Sequence, residues 1–342
     1  MKIFYAVQAT GNGHLSRATQ LYPHLKKFGE VDFFVSGSNS NLDYPFPVKY
    51  RSDGWSLHYS KCGGLNYWDI VKNTKPAHLY KDAAALPLKQ YDVVINDFDF
   101  ITSIGCKMQK VPSVQLGHQA SFQSDLTPRP AKKNYLGEII LKHYAKATQH
   151  IGLHFQPYDN FIFPPVVKQE LMNQEVLDLN HVTVYLPWFQ QHCLHETFRK
   201  LKDIPFHWFL NGVEKPYTEN NITYYPVNQN MFNKSLLTCH GLITGGGFET
   251  PSEALFLGKR LMSIPIRNHY EQQCNAAALQ QMGICVLEEA DEYFAKNIET
   301  WYLANPPKAA VKANNIATTL EYLFDTFPYH QKEEAHEMAL FV

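Results

Sequence analysis

The sequence predicts an α/β protein made of two doubly wound, Rossmann-like halves. Three observations lead there. Strand-like and helix-like segments alternate twice along the chain. The strand candidates are continuous apolar runs bounded by turns, the pattern of parallel strands covered on both faces. A length of 342 residues exceeds what one hydrophobic core usually serves and suits two.

Residues 2–8 (KIFYAVQ) form the first strand candidate, rich in β-branched and aromatic side chains. A glycine-bearing turn follows, then a helix over 14–28. The runs 31–37 (VDFFVSG), 91–97 (YDVVIND) and 111–117 (VPSVQLG) read as further buried strands. The pattern restarts with a strand at 181–187 (HVTVYLP), a helix over 189–201 and a strand at 206–212 (FHWFLNG). It continues through 241–246 (GLITGG), a helix from 251, a strand at 260–266 (RLMSIPI) and a helix from 270. Short helical segments near 313–327 close the pattern. The two prolines within 161–170 (FIFPPVVKQE) end the first set, so the expected domains are 1–164 and 165–342, with the last helices packing back on the first. No short-period repeat or low-complexity tract interrupts this order.

Composition narrows the partners. A formal net charge of -1 gives no reason to expect nucleic acid. The six cysteines, at 62, 106, 193, 239, 274 and 285, form no Cys-x-x-Cys pair. That spacing predicts a reduced, cytoplasmic protein without a disulfide or zinc framework. The opening apolar run is too short for a leader, and no stretch approaches the ~20 apolar residues of a membrane span. Any membrane contact is therefore expected to be peripheral.

The most informative stretch is 242–260, LITGGGFETPSEALFLGKR. Read plainly, Thr250-Pro251-Ser252-Glu253 is a capping box, with Thr250 at the N-cap and Glu253 reaching back from the third position. Gly245, Gly246 and Gly247 add something a capping box does not need. They let a ligand approach the backbone closely. The free N–H groups and positive end of the following helix then suit an anion, above all a pyrophosphate. The crevice beyond the carboxyl ends of parallel strands is where open α/β sheets bind ligands. Further on, 268–277 (NHYEQQCNAA) sets Glu271 and Gln272 at another helix start, with Asn275 one turn later.

Together, Gly246-Gly247, Thr250, Glu253-Ala254-Leu255, Gly258-Lys259, Glu271-Gln272 and Asn275-Ala276 resemble the donor signature of GT-B glycosyltransferases. The likeness is closest to the bacterial N-acetylglucosaminyltransferase of peptidoglycan lipid synthesis and to the UDP-glucuronosyltransferase-like group. It spans most of the chain and is strongest over 222–284. The resemblance implies two Rossmann-like domains facing across a cleft. It implies that Gly245, Gly246, Gly247 and Thr250 hold a UDP diphosphate, and that Glu253 accepts from the ribose hydroxyls. Glu271 and Gln272 would read the donor sugar, and Val227 and Asn228, in 224–232 (YYPVNQNMF), would hold the uracil. The pattern departs in two places. Leu261, not proline, follows the Gly-Lys-Arg step, and the family's Arg-Ser-Gly is Gly245-Gly246-Gly247 here, so a cation is missing.

The first loop, 9–18 (ATGNGHLSRA), has Ser16 where a dinucleotide fingerprint has its third glycine, which rules out NAD. Taken alone, His14 is a histidine at a helix start. In the family resembled, a Gly-His in this loop faces the acceptor, which places Gly11 and Gly13 on the acceptor side. A neutral imidazole there suits a general base. Asp97, at the end of its strand, would orient it. The same aspartate opens Asp97-Phe98-Asp99, which spells an Asp-x-Asp metal motif. The first-loop Gly-His and the donor signature argue against that use, so no metal is expected. His192 and His195 share a helix face without a third ligand and read as a solvated face.

The acceptor is the least determined part. His118 sits at a strand end and is placed beside the acceptor. Between 127 and 150, Arg129, Lys132, Lys133, Lys142 and Lys146 face Glu138 alone, with Leu136, Ile139 and Ile140 among them. An amphipathic helix packed on its own domain explains this. So does contact with an anionic membrane on its cytoplasmic face. The expected activity is inverting transfer of a hexose from a UDP-sugar, as co-substrate and without another cofactor, to a hydroxyl acceptor such as a lipid or envelope glycan. A UDP-sugar 2-epimerase and a non-catalytic UDP-sugar-binding subunit are the rival readings.

Overall fold

The computed structural model describes residues 1–9, 11–37, 45–53, 76–187, 189, 191–305 and 310–327. Cys62 and the side chain of Cys193 lie outside the described residues, and Cys106, Cys239, Cys274 and Cys285 are free thiols.

Two seven-stranded sheets organise the chain. The first contains β1 (Lys2–Gln8), β2 (Glu30–Ser36), β3 (Val48–Ser52), β4 (Val93–Asp97), β5 (Val114–Gly117), β6 (Gln149–Leu153) and β7 (Ile162–Phe163). Its order is β3-β2-β1-β4-β5-β6-β7, and every pairing is parallel. The second contains β8 (Val182–Tyr185), β9 (Phe206–Leu210), β10 (Tyr217–Glu219), β11 (Ile222–Pro226), β12 (Gly241–Thr244), β13 (Arg260–Ser263) and β14 (Cys285–Val286). Its order is β10-β11-β9-β8-β12-β13-β14, parallel except for the β10–β11 hairpin. Strand order reverses at β1 in one sheet and at β8 in the other. Both reversals open the kind of crevice that receives ligands in doubly wound sheets.

Helices cover these sheets. The first half carries α1 (Asn12–Leu25), α2 (Pro76–Ala85), α3 (Phe100–Gln109) and α4 (Tyr135–His143). The second half carries α5 (Gln191–Lys200), α6 (Gln229–Thr238), α7 (Glu249–Phe256), α8 (Tyr270–Gln281), α9 (Phe294–Leu303) and α10 (Ile316–Thr326). Strand β1 shows why a continuous apolar run is needed. Ile3, Tyr5 and Val7 enter one apolar cluster, while Phe4 and Ala6 enter another on the opposite face. The cluster around Tyr5 continues through Val166, Val167 and Phe248 into α7 and α8, so the halves share buried apolar surface. Helix α10 returns to the first half, where Phe324 stacks on Phe28 at 4.2 Å.

Several element boundaries move. Helix α1 begins at Asn12 rather than 14, because Gly11 is extended and the turn closes at once. The strand expected from 111 begins at Val114, after Pro112. The helix expected from 251 begins at Glu249, because Phe248 already has right-handed helical dihedrals. The capping box therefore does not form. Thr250 sits inside the first turn, the N-cap Phe248 has no side-chain cap, and the Glu253 carboxylate pairs with Lys168 instead.

Candidate functional site

The strand register builds the first half of the site. Strands β1 and β4 are neighbours, with Val7 opposite Asp97. Asp97 therefore ends its strand beside the loop that leads into α1. His14 and Arg17 lie three residues apart in α1 and share one helix face. His14 Nδ1 lies 2.8 Å from Asp97 Oδ1, with the aspartate fully buried and the imidazole 13% exposed. Arg17 forks onto the same carboxylate, Nε to Oδ2 at 3.0 Å and a terminal nitrogen to Oδ1 at 2.7 Å. Burial pushes the Asp97 carboxyl up, but Arg17 and His14 outweigh it and hold it below the usual carboxylate range. An ionised Asp97 accepts only, so the His14 nitrogen that faces it, Nδ1, is the donor of that hydrogen bond. That assignment follows from the hydrogen-bond network.

Asp99 has a different task. It is the N-cap of α3, accepting from Thr102 N at 2.6 Å and from the Ser36 hydroxyl. Its own N–H donates to Asn96 Oδ1 at 2.6 Å. The Asp-x-Asp is thus divided between an imidazole–guanidinium network and a helix cap. Among the described residues, no group of three or more His, Cys, Asp or Glu side chains is placed to hold a metal ion.

The second half of the site is the loop between β12 and α7. Its three glycines are not equivalent. A Cβ at Gly246 would lie 2.8 Å from the backbone oxygen and 2.9 Å from Cβ of Gln272, so close packing against α8 requires glycine there. A Cβ at Gly247 would meet nothing within 4 Å, and one at Gly245 would make ordinary contacts. Gln272 is buried and braces the loop. Its Oε1 accepts from Gly246 N at 3.1 Å and Ile266 N at 2.9 Å. Expected to read a sugar, Gln272 has its carbonyl oxygen committed to backbone. Asn275 Nδ2 donates to Gly246 O at 3.0 Å.

His118 also departs from expectation. Rather than lining an open acceptor cleft, it is buried and stacked on Phe248 at 4.0 Å. Nδ1 lies 2.9 Å from Leu153 O and Nε2 lies 2.7 Å from Asn275 Oδ1, so both ring nitrogens are engaged. Burial lowers its pKa, and the opposing pull of Glu271 does not restore it. His118 thus fastens the end of β5 to α8. Glu271 accepts from Gln119 Nε2 at 3.1 Å and stays partly open.

The two halves meet at the two loops. A Cβ at Gly13 would lie 3.0 Å from Glu249 Oε2, and Arg17 donates to Glu249 Oε1. Between them is a cavity of about 120 Å³. Asn12, Gly13 and Ser16 line it from the first half, and Val227, Asn228 and Thr250 from the second. Asn228 also caps α6, its Oδ1 accepting from Met231 N at 3.1 Å. Gly11 is the extended residue before α1, with open space around it.

Some side chains here were not evident in the sequence. Tyr185, Phe209 and Phe232 give the cavity aromatic walls suited to a planar base. Lys168, between the sheets, lines the same cavity and lies 3.1 Å from Glu253 Oε2. It brings a cation to a cavity whose glycine loop has none. Arg17 gave one signal, its helical spacing from His14.

Comparison with known proteins follows the same outline. The family model described as glycosyl transferase family 1 matches residues 1–306. An uncharacterized glycosyltransferase of Methanosarcina mazei is 21% identical over 339 residues, covering 83% of this chain and 84% of its own. One of Methanosarcina acetivorans is 22% identical over 324 residues, covering 83% and 82%. Among solved structures, LpCGTa in complex with UDP has a TM-score of 0.60 at 14% identity, covering 96% of this chain and 99% of that one. The kitacinnamycin glycotransferase also has a TM-score of 0.60, at 15% identity, covering 94% and 93%. A UDP-N-acetylglucosamine 2-epimerase reaches 0.56 at 13% identity, covering 94% of each chain. At these identities the structural likeness speaks to the GT-B fold alone.

Proposed function

The chain belongs to glycosyl transferase family 1, and from that premise we propose that it moves a hexose from a UDP-sugar to a hydroxyl acceptor with inversion. The observation that carries the reading is the His14–Asp97 pair, 2.8 Å apart and set on the loop that meets the start of α7. His14 Nε2 removes the acceptor proton as the hydroxyl attacks the anomeric carbon from the face opposite the leaving UDP. Asp97 fixes the ring and stabilises the imidazolium that forms. The amides of Gly245, Gly246 and Gly247, Thr250 and the start of α7 hold the diphosphate as it departs. Glu253 takes the ribose hydroxyls, with Lys168 beside it, and Glu271 with Gln272 stands at the sugar end. Val227 and Asn228 receive the uracil against the aromatic walls. The reaction needs no metal in this reading, because Asp97 and Asp99 already have separate partners. No cofactor beyond the donor is invoked.

The proposed domains are 1–164 on the acceptor side and 165–342 on the donor side. We further propose a cytoplasmic protein whose acceptor reaches it from an anionic lipid surface. Helix α4 and its approach expose Leu126, Tyr135, Leu136 and Ile139, with Lys132 and Lys133 adjoining. Among the described residues no helix is long and apolar enough to cross a membrane.

The deciding experiment incubates the protein with UDP-glucose, UDP-galactose and UDP-N-acetylglucosamine, with and without lipid-linked and soluble hydroxyl acceptors. Sugar transfer only with acceptor supports the proposal. Epimerisation of the donor without acceptor replaces it with the isomerase reading, and binding without turnover replaces it with a non-catalytic one.

A further inference from the structure

One guanidinium serves both sides of the cleft. Arg17 is 3% exposed and forks onto the enclosed Asp97. Its remaining terminal nitrogen donates to Glu249, the first residue of α7. The fork has no slack: a Cβ at Gly117 would lie 2.7 Å from Asp97 Oδ1 and 3.2 Å from the Arg17 terminal nitrogen. Burial works against the charge on Arg17, but Asp97 and Glu249 together raise its pKa and hold it protonated.

Glu249 poses a physical problem for the donor reading, on which this inference rests. Its carboxylate stands at the helix start and lines the cavity beside Thr250, where a diphosphate would be held. A like charge so close to the ligand opposes binding. We propose that Arg17 is a positioning residue that neutralises Glu249 across the cleft, so that the start of α7 accepts a nucleotide diphosphate. Asp97 anchors the guanidinium in the first half, which lets it act on the second half without being a donor ligand itself. Occupation of the donor site is thereby tied to an arginine bound to the aspartate of the His14–Asp97 pair.

The test uses UDP as the probe, calorimetry as the readout and melting temperature as a control. The proteins are wild type, Arg17→Gln, Glu249→Gln and the double variant. Arg17→Gln should weaken UDP binding roughly tenfold, the scale of a typical coupling between sites. Glu249→Gln should bind UDP as tightly as wild type or more so. The double variant should recover to within about threefold of wild type. A purely packing role for Arg17 gives no such rescue, since removing a second partner cannot rebuild a lost fork. If the double variant binds no better than Arg17→Gln, the proposal is wrong. It is equally wrong if Glu249→Gln loses binding about tenfold, because the carboxylate would then hold the nucleotide itself. Should Arg17→Gln fail to fold, Glu249→Gln decides by the same criterion. Wild type that binds no UDP overturns the donor reading and this inference together. UDP binding by wild type without rescue overturns this inference alone.

Discussion

His14 and Asp97 lie 83 residues apart in sequence and 2.8 Å apart in space, because the register of β1 with β4 brings their loops together. If His14 Nε2 is the base, His14→Ala lowers turnover by roughly 10²–10⁴-fold. UDP affinity, measured by calorimetry, stays near wild type if the donor rests mainly on the second half, as proposed. Full turnover with a lowered melting temperature would make His14 a structural residue.

Asp97→Asn should lose less turnover than His14→Ala, because the imidazole remains. Wild-type stability should depend on pH in a defined direction that the variant lacks. The folded Asp97 carboxyl is held below its unfolded value by Arg17 and His14. Its contribution is therefore present above the unfolded pKa and lost as pH falls through the folded one. Melting curves between about pH 2 and pH 6 should show a steeper acid loss in wild type than in Asp97→Asn. Parallel curves would contradict the assigned ionic state.

UDP should bind with EDTA present. Glu253→Ala should weaken UDP more than 2′-deoxy-UDP if the carboxylate takes the ribose hydroxyls. Burial raises the Glu253 carboxyl against the opposing pull of Lys168. The stability tied to that shift is fully present below the unfolded pKa and lost as pH rises through the folded one. Glu253→Gln should therefore narrow the stability gap between mildly acidic and neutral solution. Equal losses for both nucleotides would move the ribose contact elsewhere, with Lys168 tested next.

The glycine loop offers a steric comparison. Gly246→Ala presses a methyl group on the backbone oxygen of Gln272 and should destabilise the fold by about 1–3 kcal/mol, as overpacking typically does. Gly247→Ala has open space and should melt close to wild type. If a diphosphate lies against this loop, Gly247→Ala still weakens UDP. Unchanged UDP affinity in Gly247→Ala would place the phosphates elsewhere.

The central strands were legible because their apolar runs report burial on both faces. Strand β10 was not, since its three residues are all exposed and it exists as a hairpin edge. Strand β3 alternates between half-buried and exposed residues and was missed for a similar reason. The two loops were legible because glycines before a helix start are a local signal. Arg17 and Lys168 carry no such signal for their tasks. Their partners Glu249 and Glu253 lie 232 and 85 residues away, and only the assembled fold brings them together. The capping box misled because its grammar fits many helix starts. Lys168, remote in sequence, gave the Glu253 carboxylate a different partner.

The return of α10 to the first half has a mechanical consequence. The chain passes between the halves once near Pro164 and Pro165 and again near Asn314. These two passages are laced together: Asn314 N donates to Pro165 O at 2.9 Å, and its Nδ2 donates to Pro164 O at 2.8 Å. Two crossings fastened side by side behave as a door on a single pin rather than as a free swivel. The same lacing joins the last helix to the stretch that leaves the first sheet, so a cut near residue 314 would free both crossings at once.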